Sequence, residues 1–130
     1  MTIKVLIVDD SAFFRKRLSE IISGDPLLEV VGEAKDGKEG VLLTSALHPD
    51  VVTMDVEMPV MDGILATKSI RQMRKEDAKT IPIIAMTANV FDEDIEKTKV
   101  AGMNAHIAKP IEPNALFCTL NTFFANRDGK

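Results

Sequence analysis

The sequence predicts an α/β domain built on a doubly wound sheet of five parallel strands. Five apolar runs of strand length alternate with longer segments of helical period, and three of the runs are apolar almost throughout. A strand covered on both faces needs such a run, whereas a half-solvated strand alternates. Helices therefore belong on both sides of the sheet, and the right-handed crossover rule leads to an open parallel arrangement.

The first strand is KVLIV at 4–8. In the helix that follows, Phe14, Leu18, Ile21 and Ile22 fall on one face at helical spacing, and Ser11 can cap its start. Gly24-Asp25-Pro26 reads as the return to LEVVG at 28–32, and His48-Pro49-Asp50 as the return to VVTM at 51–54. Asp62 and Asp92 are candidate caps for the helices after the third and fourth strands, the fourth being IPIIAM at 81–86. Ala101-Gly102 turns the chain into AHIA at 105–108. The last helix carries Leu116, Leu120, Phe123 and Phe124 on one face, with Pro113 near its start where a missing N–H does no harm.

A chain of 130 residues, 45% hydrophobic and 28% charged, is long enough for one globular domain with a sizeable core. That domain is expected over 1–125, followed by a polar tail at 126–130 that reads equally as a cut linker or a frayed terminus. No output domain is expected after it. Sixteen basic against twenty acidic residues give a net charge of −4, which offers no general attraction to nucleic acid or to an anionic membrane. The single cysteine, Cys118, excludes an internal disulfide and a thiolate metal cluster and fits a reducing cytosol. The apolar block after the N-terminus is too short for a membrane span and lacks a signal-cleavage region, so a cytoplasmic location is expected.

In such a sheet the ligand crevice lies beyond the carboxyl ends of the strands, where strand order reverses. Asp9 and Asp10 end the first strand, Asp55 the third, Thr87 the fourth and Lys109 the fifth, so all five land on one edge. Three crowded carboxylates repel one another and need a cation to stay ionised. Oxygen-only ligation with room for water favours Mg2+, with Mn2+ as the alternative. A carboxylate that attacks phosphorus becomes an acyl phosphate, and a Lys ammonium and a Thr hydroxyl can neutralise the oxygens of the transferring group. Taken singly, each residue has an ordinary role: an Asp after a strand caps a helix, a Thr begins a turn, and a Lys beside Pro is solvated. Their joint placement carries the chemistry.

Val8-Asp9-Asp10-Ser11, the run from Met54-Asp55 to Asp62-Gly63, Met86-Thr87-Ala88 and Lys109-Pro110 occur in this order. On these motifs the chain resembles the CheY-like receiver domains of two-component response regulators, from Lys4 to about Phe124. The resemblance implies a flavodoxin-like (βα)5 fold and a phosphoacceptor at Asp55, supplied by a phosphohistidine on a sensor histidine kinase or phosphotransfer domain. It also implies Mg2+ held by Asp10 and Asp55, with Asp9 acting through metal-bound water and the Glu57 backbone carbonyl completing the protein ligands. Lys109, Thr87 and the Ala88 backbone would contact the phosphoryl group, and Pro110 would follow a cis peptide. Glu57 and Asn89 flank the acceptor at positions that tend to set how long the phosphoryl group survives. His106 stands where many relatives carry Tyr or Phe, and reads equally as a switch residue or an edge-strand histidine with no special role.

Residues up to about 65 resemble chemotaxis receivers, particularly that of the methylesterase, through Asp10-Ser11-Ala12-Phe13. The second half, from Thr87-Ala88-Asn89 to Gly102-Met103-Asn104-Ala105-His106, resembles receivers of hybrid sensor kinases, whether through drift, recombination or design. The expected molecule is a switch without external-substrate turnover, presenting the surface of its last two helices to an output partner as a monomer or as a phosphorylation-dependent homodimer. Glu57 in place of a second Asp argues against an aspartyl-phosphate hydrolase of the haloacid-dehalogenase type. The absence of a phosphate loop, Trp and Tyr argues against a flavin carrier.

Overall fold

The computed structural model describes residues 2–58, 61–73, 77–88 and 92–124. The strands are β1 (Ile3–Val8), β2 (Leu28–Ala34), β3 (Val51–Asp55), β4 (Ile83–Thr87) and β5 (Ala105–Ala108). They form one sheet of order β2-β1-β3-β4-β5, every neighbouring pair parallel. The helices are α1 (Ala12–Ser23), α2 (Gly37–Leu47), α3 (Gly63–Arg71), α4 (Asp77–Thr80), α5 (Asp92–Ala101) and α6 (Pro113–Phe124). This is the doubly wound architecture the apolar runs require.

Burial explains the runs. Every residue of β3 and β4 is buried, as are Val5 to Val8 of β1, because these strands lie inside the sheet with helices on both faces. Val5, Ile7, Val51, Ile84 and Met86 face one core layer, closed by Leu18, Ile21 and Ile22 of α1 and by Leu116 and Leu120 of α6. Leu6, Val8, Val52, Met54, Ile83 and Ala85 face the other, closed by Ala66 and Ile70 of α3 and flanked by Val41 and Leu47 of α2. Each fully buried Leu or Ile contributes about 1.5–3 kcal/mol against conformational entropy.

The caps follow the sequence chemistry. Ser11 Oγ accepts the Phe14 N–H at 3.2 Å, and Asp62 Oδ1 accepts the Leu65 N–H at 2.8 Å. Asp36, which has the same role at α2, was not anticipated; it accepts the Glu39 N–H at 2.8 Å while Glu39 accepts the Lys35 N–H at 3.2 Å. Asp92 opens α5, and its side chain, like the expected tail at 126–130, lies outside the described residues.

Strand bounds differ from expectation by one or two residues: β1 begins at Ile3, β2 runs on to Ala34, and β3 and β4 extend to Asp55 and Thr87. β4 begins at Ile83 and not Ile81, because Pro82 has no N–H for the ladder; its carbonyl accepts the Val52 N–H at 3.0 Å. The polar stretch before it also holds an unexpected turn of helix, α4, whose Ala78 is buried against the second core layer. Among the described residues no helix is long and apolar enough to cross a membrane.

Candidate functional site

The sheet order places β1 and β3 side by side while the chain leaves β1 for β2 on the far side, so the strand order reverses between β1 and β3. A crevice at the carboxyl ends results. Asp9 and Asp10 follow β1 directly, Asp55 is the last residue of β3, Thr87 the last of β4, and Lys109 the first beyond β5. Asp9, Asp55 and Thr87 are buried and Asp10 is exposed.

Backbone geometry fixes the acidic groups. The Asp9 Oδ1 accepts the Ser11 N–H at 2.9 Å, and Asp55 Oδ1 accepts the Glu57 N–H at 3.4 Å. The start of α3 closes on β3 at Gly63, whose N–H donates to the Val56 carbonyl at 2.9 Å; a Cβ there would collide with the Asp55 carbonyl oxygen. Lys109 donates its backbone N–H to the Thr87 carbonyl at 2.9 Å, ahead of a cis peptide to Pro110.

Carboxylate oxygens of Asp9, Asp10 and Asp55 lie within 4.8 Å of one another. Lys109 Nζ stands 3.1 Å from Asp9 Oδ2 and 3.3 Å from Asp55 Oδ1. Burial pushes the Asp55 carboxyl up to about 7, the Asp9 charge and a hydrogen bond with Asp10 add to the rise, and Lys109 offsets only part of it. For Lys109 burial opposes the charge, yet Asp9 and Asp55 outweigh it and leave the ammonium above its usual range. Asp9 Oδ2 is buried and accepts no aligned hydrogen bond; the nearby ammonium is what balances it. A hard divalent cation fits this donor set: three carboxylates, one exposed to admit water, and a buried oxygen with a lone pair to give.

Two contributors were missed in the sequence. Phe14 counts there as one of the core-facing residues of α1, and it does pack against the first core layer; its ring also lies beneath Lys109, with Nζ 4.2 Å from the centroid. Arg15 donates from Nη1 to the Asp9 carbonyl at 2.7 Å and pairs through Nε with Glu33 at 3.5 Å, tying the end of β1 to β2. The detectable signal was position alone: both sit in the first turn of a helix that starts beside two acidic residues.

Glu57 and Ala88 are exposed, and Asn89 lies outside the described residues. His106 is exposed on the edge strand β5, in register with Ala85 of β4. It lines a groove of about 290 Å³ with Thr98, Lys99, Met103, Asn104 and Ala105.

Known proteins place this arrangement. Residues 5–121 match the response regulator receiver domain. A protein-glutamate methylesterase/protein-glutamine glutaminase of Photobacterium profundum is 63% identical over 73 residues, which make up 56% of this chain and 18% of that protein. The chain thus spans about a fifth of the length of the curated relatives it matches. The response regulator domain of Thermotoga maritima CheB superposes with a TM-score of 0.84 at 34% identity, covering 94% of this chain and 96% of that one. The receiver domain of a Pseudomonas aeruginosa sensor histidine kinase, solved with a magnesium ion in its active-site cleft, gives 0.84 at 30% identity over 96% and 99% of the two chains. A methylesterase receiver and a kinase receiver thus superpose on nearly the whole chain at similar identity. On the profile match and on the fold, this chain belongs to the response regulator receiver domains, the phosphoacceptor switches of two-component signalling.

Proposed function

We propose that Asp55 is the phosphoacceptor of this receiver, and that the convergence of Asp9, Asp10, Asp55 and Lys109 at the β1/β3 crevice is what carries the assignment. An Asp55 carboxylate oxygen attacks the phosphorus of a phosphohistidine on a sensor histidine kinase or phosphotransfer domain. A P–O bond forms, the P–N bond breaks, and the imidazole leaves with its electron pair. Asp9, Asp10, Asp55 and the Glu57 carbonyl would hold Mg2+, or Mn2+ in its place, and the bound cation would supply neutralisation of charge on the phosphoryl oxygens. Lys109 pairs with one of those oxygens, Thr87 donates its hydroxyl to another, and the Ala88 N–H contacts the group from the end of β4.

Glu57, two residues after the acceptor, and Asn89, two after Thr87, regulate its loss of phosphate, and His106 reports the phosphorylated state on the α5–α6 side. The chain turns over no external substrate; its reaction is its own phosphorylation and dephosphorylation. It works in the cytoplasm as a receiver unit over 1–125, presenting its last two long helices to an output partner, as a monomer or a phosphorylation-dependent homodimer. Neither nucleic acid nor membrane is a direct partner.

Acetyl phosphate with Mg2+, followed by intact mass, tests the assignment. The parent gains one phosphoryl mass and Asp55→Asn gains none; equal labelling of the two removes Asp55 from the role.

A further inference from the structure

Lys109 is held at its base and at its tip. Its backbone N–H is bonded to the Thr87 carbonyl at 2.9 Å, and its ammonium bridges Asp9 Oδ2 and Asp55 Oδ1 at 3.1 and 3.3 Å. Those oxygens belong to the same carboxylates that, with Asp10, form the cation-binding set. A divalent cation held by these carboxylates would compete with the ammonium for the lone pairs that now hold Lys109 in place. Ion pairing alone therefore leaves Lys109 weakly held once the carboxylates are taken.

Phe14 is a partner of another kind. Its ring centroid lies 4.2 Å from Lys109 Nζ, well within the roughly 6 Å reach of a cation–π contact. The ring face attracts a cation through its quadrupole, yet it offers no lone pair to a metal. The ring is itself fixed: it packs against the core layer of α1 and α6, and the Phe14 N–H is capped by Ser11 Oγ at 3.2 Å.

We infer that Phe14 is a positioning residue for phosphoryl transfer: its ring keeps the Lys109 ammonium beside Asp55 while the carboxylates bind the cation. This rests on the reading of Asp55 as the acceptor. An ammonium already in place where charge develops spares the reorganisation that a free lysine would undergo at each transfer.

The test replaces Phe14 in the full chain by phenylalanines bearing one, two and three ring fluorines, which withdraw density from the ring face with little change of shape. The rate of Asp55 labelling by acetyl phosphate falls stepwise, by about threefold to tenfold over the series. Phe14→Leu falls at least as far and Phe14→Tyr keeps close to the parent rate. A second readout needs no phosphoryl label: in the metal-free protein the ring current shifts the Lys109 Hε protons upfield, Phe14→Leu abolishes the shift, and the parent retains it when Mg2+ and beryllofluoride are added. A parent that labels normally while the fluorinated series stays flat overturns the role of Phe14 alone. So do Lys109 Hε protons that move to ordinary positions when Mg2+ and beryllofluoride bind. A parent that takes no label at Asp55 overturns the acceptor reading and this inference with it.

Discussion

At the scale of single residues, Asp55 combines a reactive position with an energetic cost. Burial, followed by the charge of Asp9, raises its carboxyl from 3.8 to about 7. The native protein therefore holds a proton between those values that the unfolded chain has released, and stability falls as pH rises through the window and levels off above it. Asp55→Asn keeps the shape without the titration. In the absence of divalent metal it is expected to be more stable than the parent at pH 8 by about 1–3 kcal/mol, with a narrower gap at pH 5. Mg2+ added at pH 8 should stabilise the parent more than the variant, because it gives the carboxylate a partner. Urea denaturation at the two pH values measures both effects; a parent that gains on the variant as pH rises would mean that Lys109 outweighs burial. The acidic residues, Thr87 and Lys109 were legible in the sequence because a strand end is recognisable and each carries a chemically distinctive side chain. Phe14 and Arg15 were not, because helical spacing assigns a phenylalanine to the core and an arginine to solvent, and neither rule registers a neighbour brought in by another strand.

At the scale of elements, the caps and glycines do the joining. Ser11 and Asp62 were readable as caps because each directly precedes a helix, whereas Asp36 was hidden beside a weakly patterned segment and α4 inside a polar stretch. The joint between α3, α4 and the α5–β5 turn was not readable at all, since it depends on one side chain meeting groups remote in sequence. Arg71 donates to the Gly102 carbonyl from Nε at 3.1 Å and from Nη2 at 2.7 Å, to the Ala78 carbonyl at 3.1 Å and to Asn104 Oδ1 at 2.8 Å. Asn104 Oδ1 also accepts the Ile83 N–H at 2.9 Å, so the same cluster holds the near ends of β4 and β5. Gly102 is at φ 110, and a Cβ there would press on the Arg71 side chain at 3.1 Å. Arg71→Ala leaves these carbonyls without their donor and is expected to cost about 1–3 kcal/mol. Arg71→Lys is expected to recover only part of this, because one ammonium cannot reproduce the planar fork. Thermal or urea unfolding of the two variants checks the order; equal stability of Arg71→Lys and the parent would show that charge, and not the fork, matters.

At the scale of the whole molecule, alternation of apolar runs and helical segments was enough to imply the parallel sheet, because covering both faces leaves few other solutions. What alternation does not convey is how a change at the centre reaches an edge. The structure offers a short route: Asp55 pairs in register with Met86, the next residue Thr87 accepts the Lys109 N–H, and His106 lies in register with Ala85 on the outer strand. Phosphorylation shifts an equilibrium only as far as one state gains contacts, and Thr87 and Lys109 are the residues proposed to supply them. If His106 belongs to that equilibrium, Mg2+ with beryllofluoride moves its imidazole resonances in the parent. The movement is lost in Thr87→Ala although the ligand still binds at the carboxylates. The groove that His106 lines with Thr98, Lys99 and Met103 should respond together with it, because these residues share one wall of the α5–β5 face. An imidazole unmoved by beryllofluoride would make His106 an ordinary edge-strand residue. A shift that survives in Thr87→Ala would place the route through Lys109 alone.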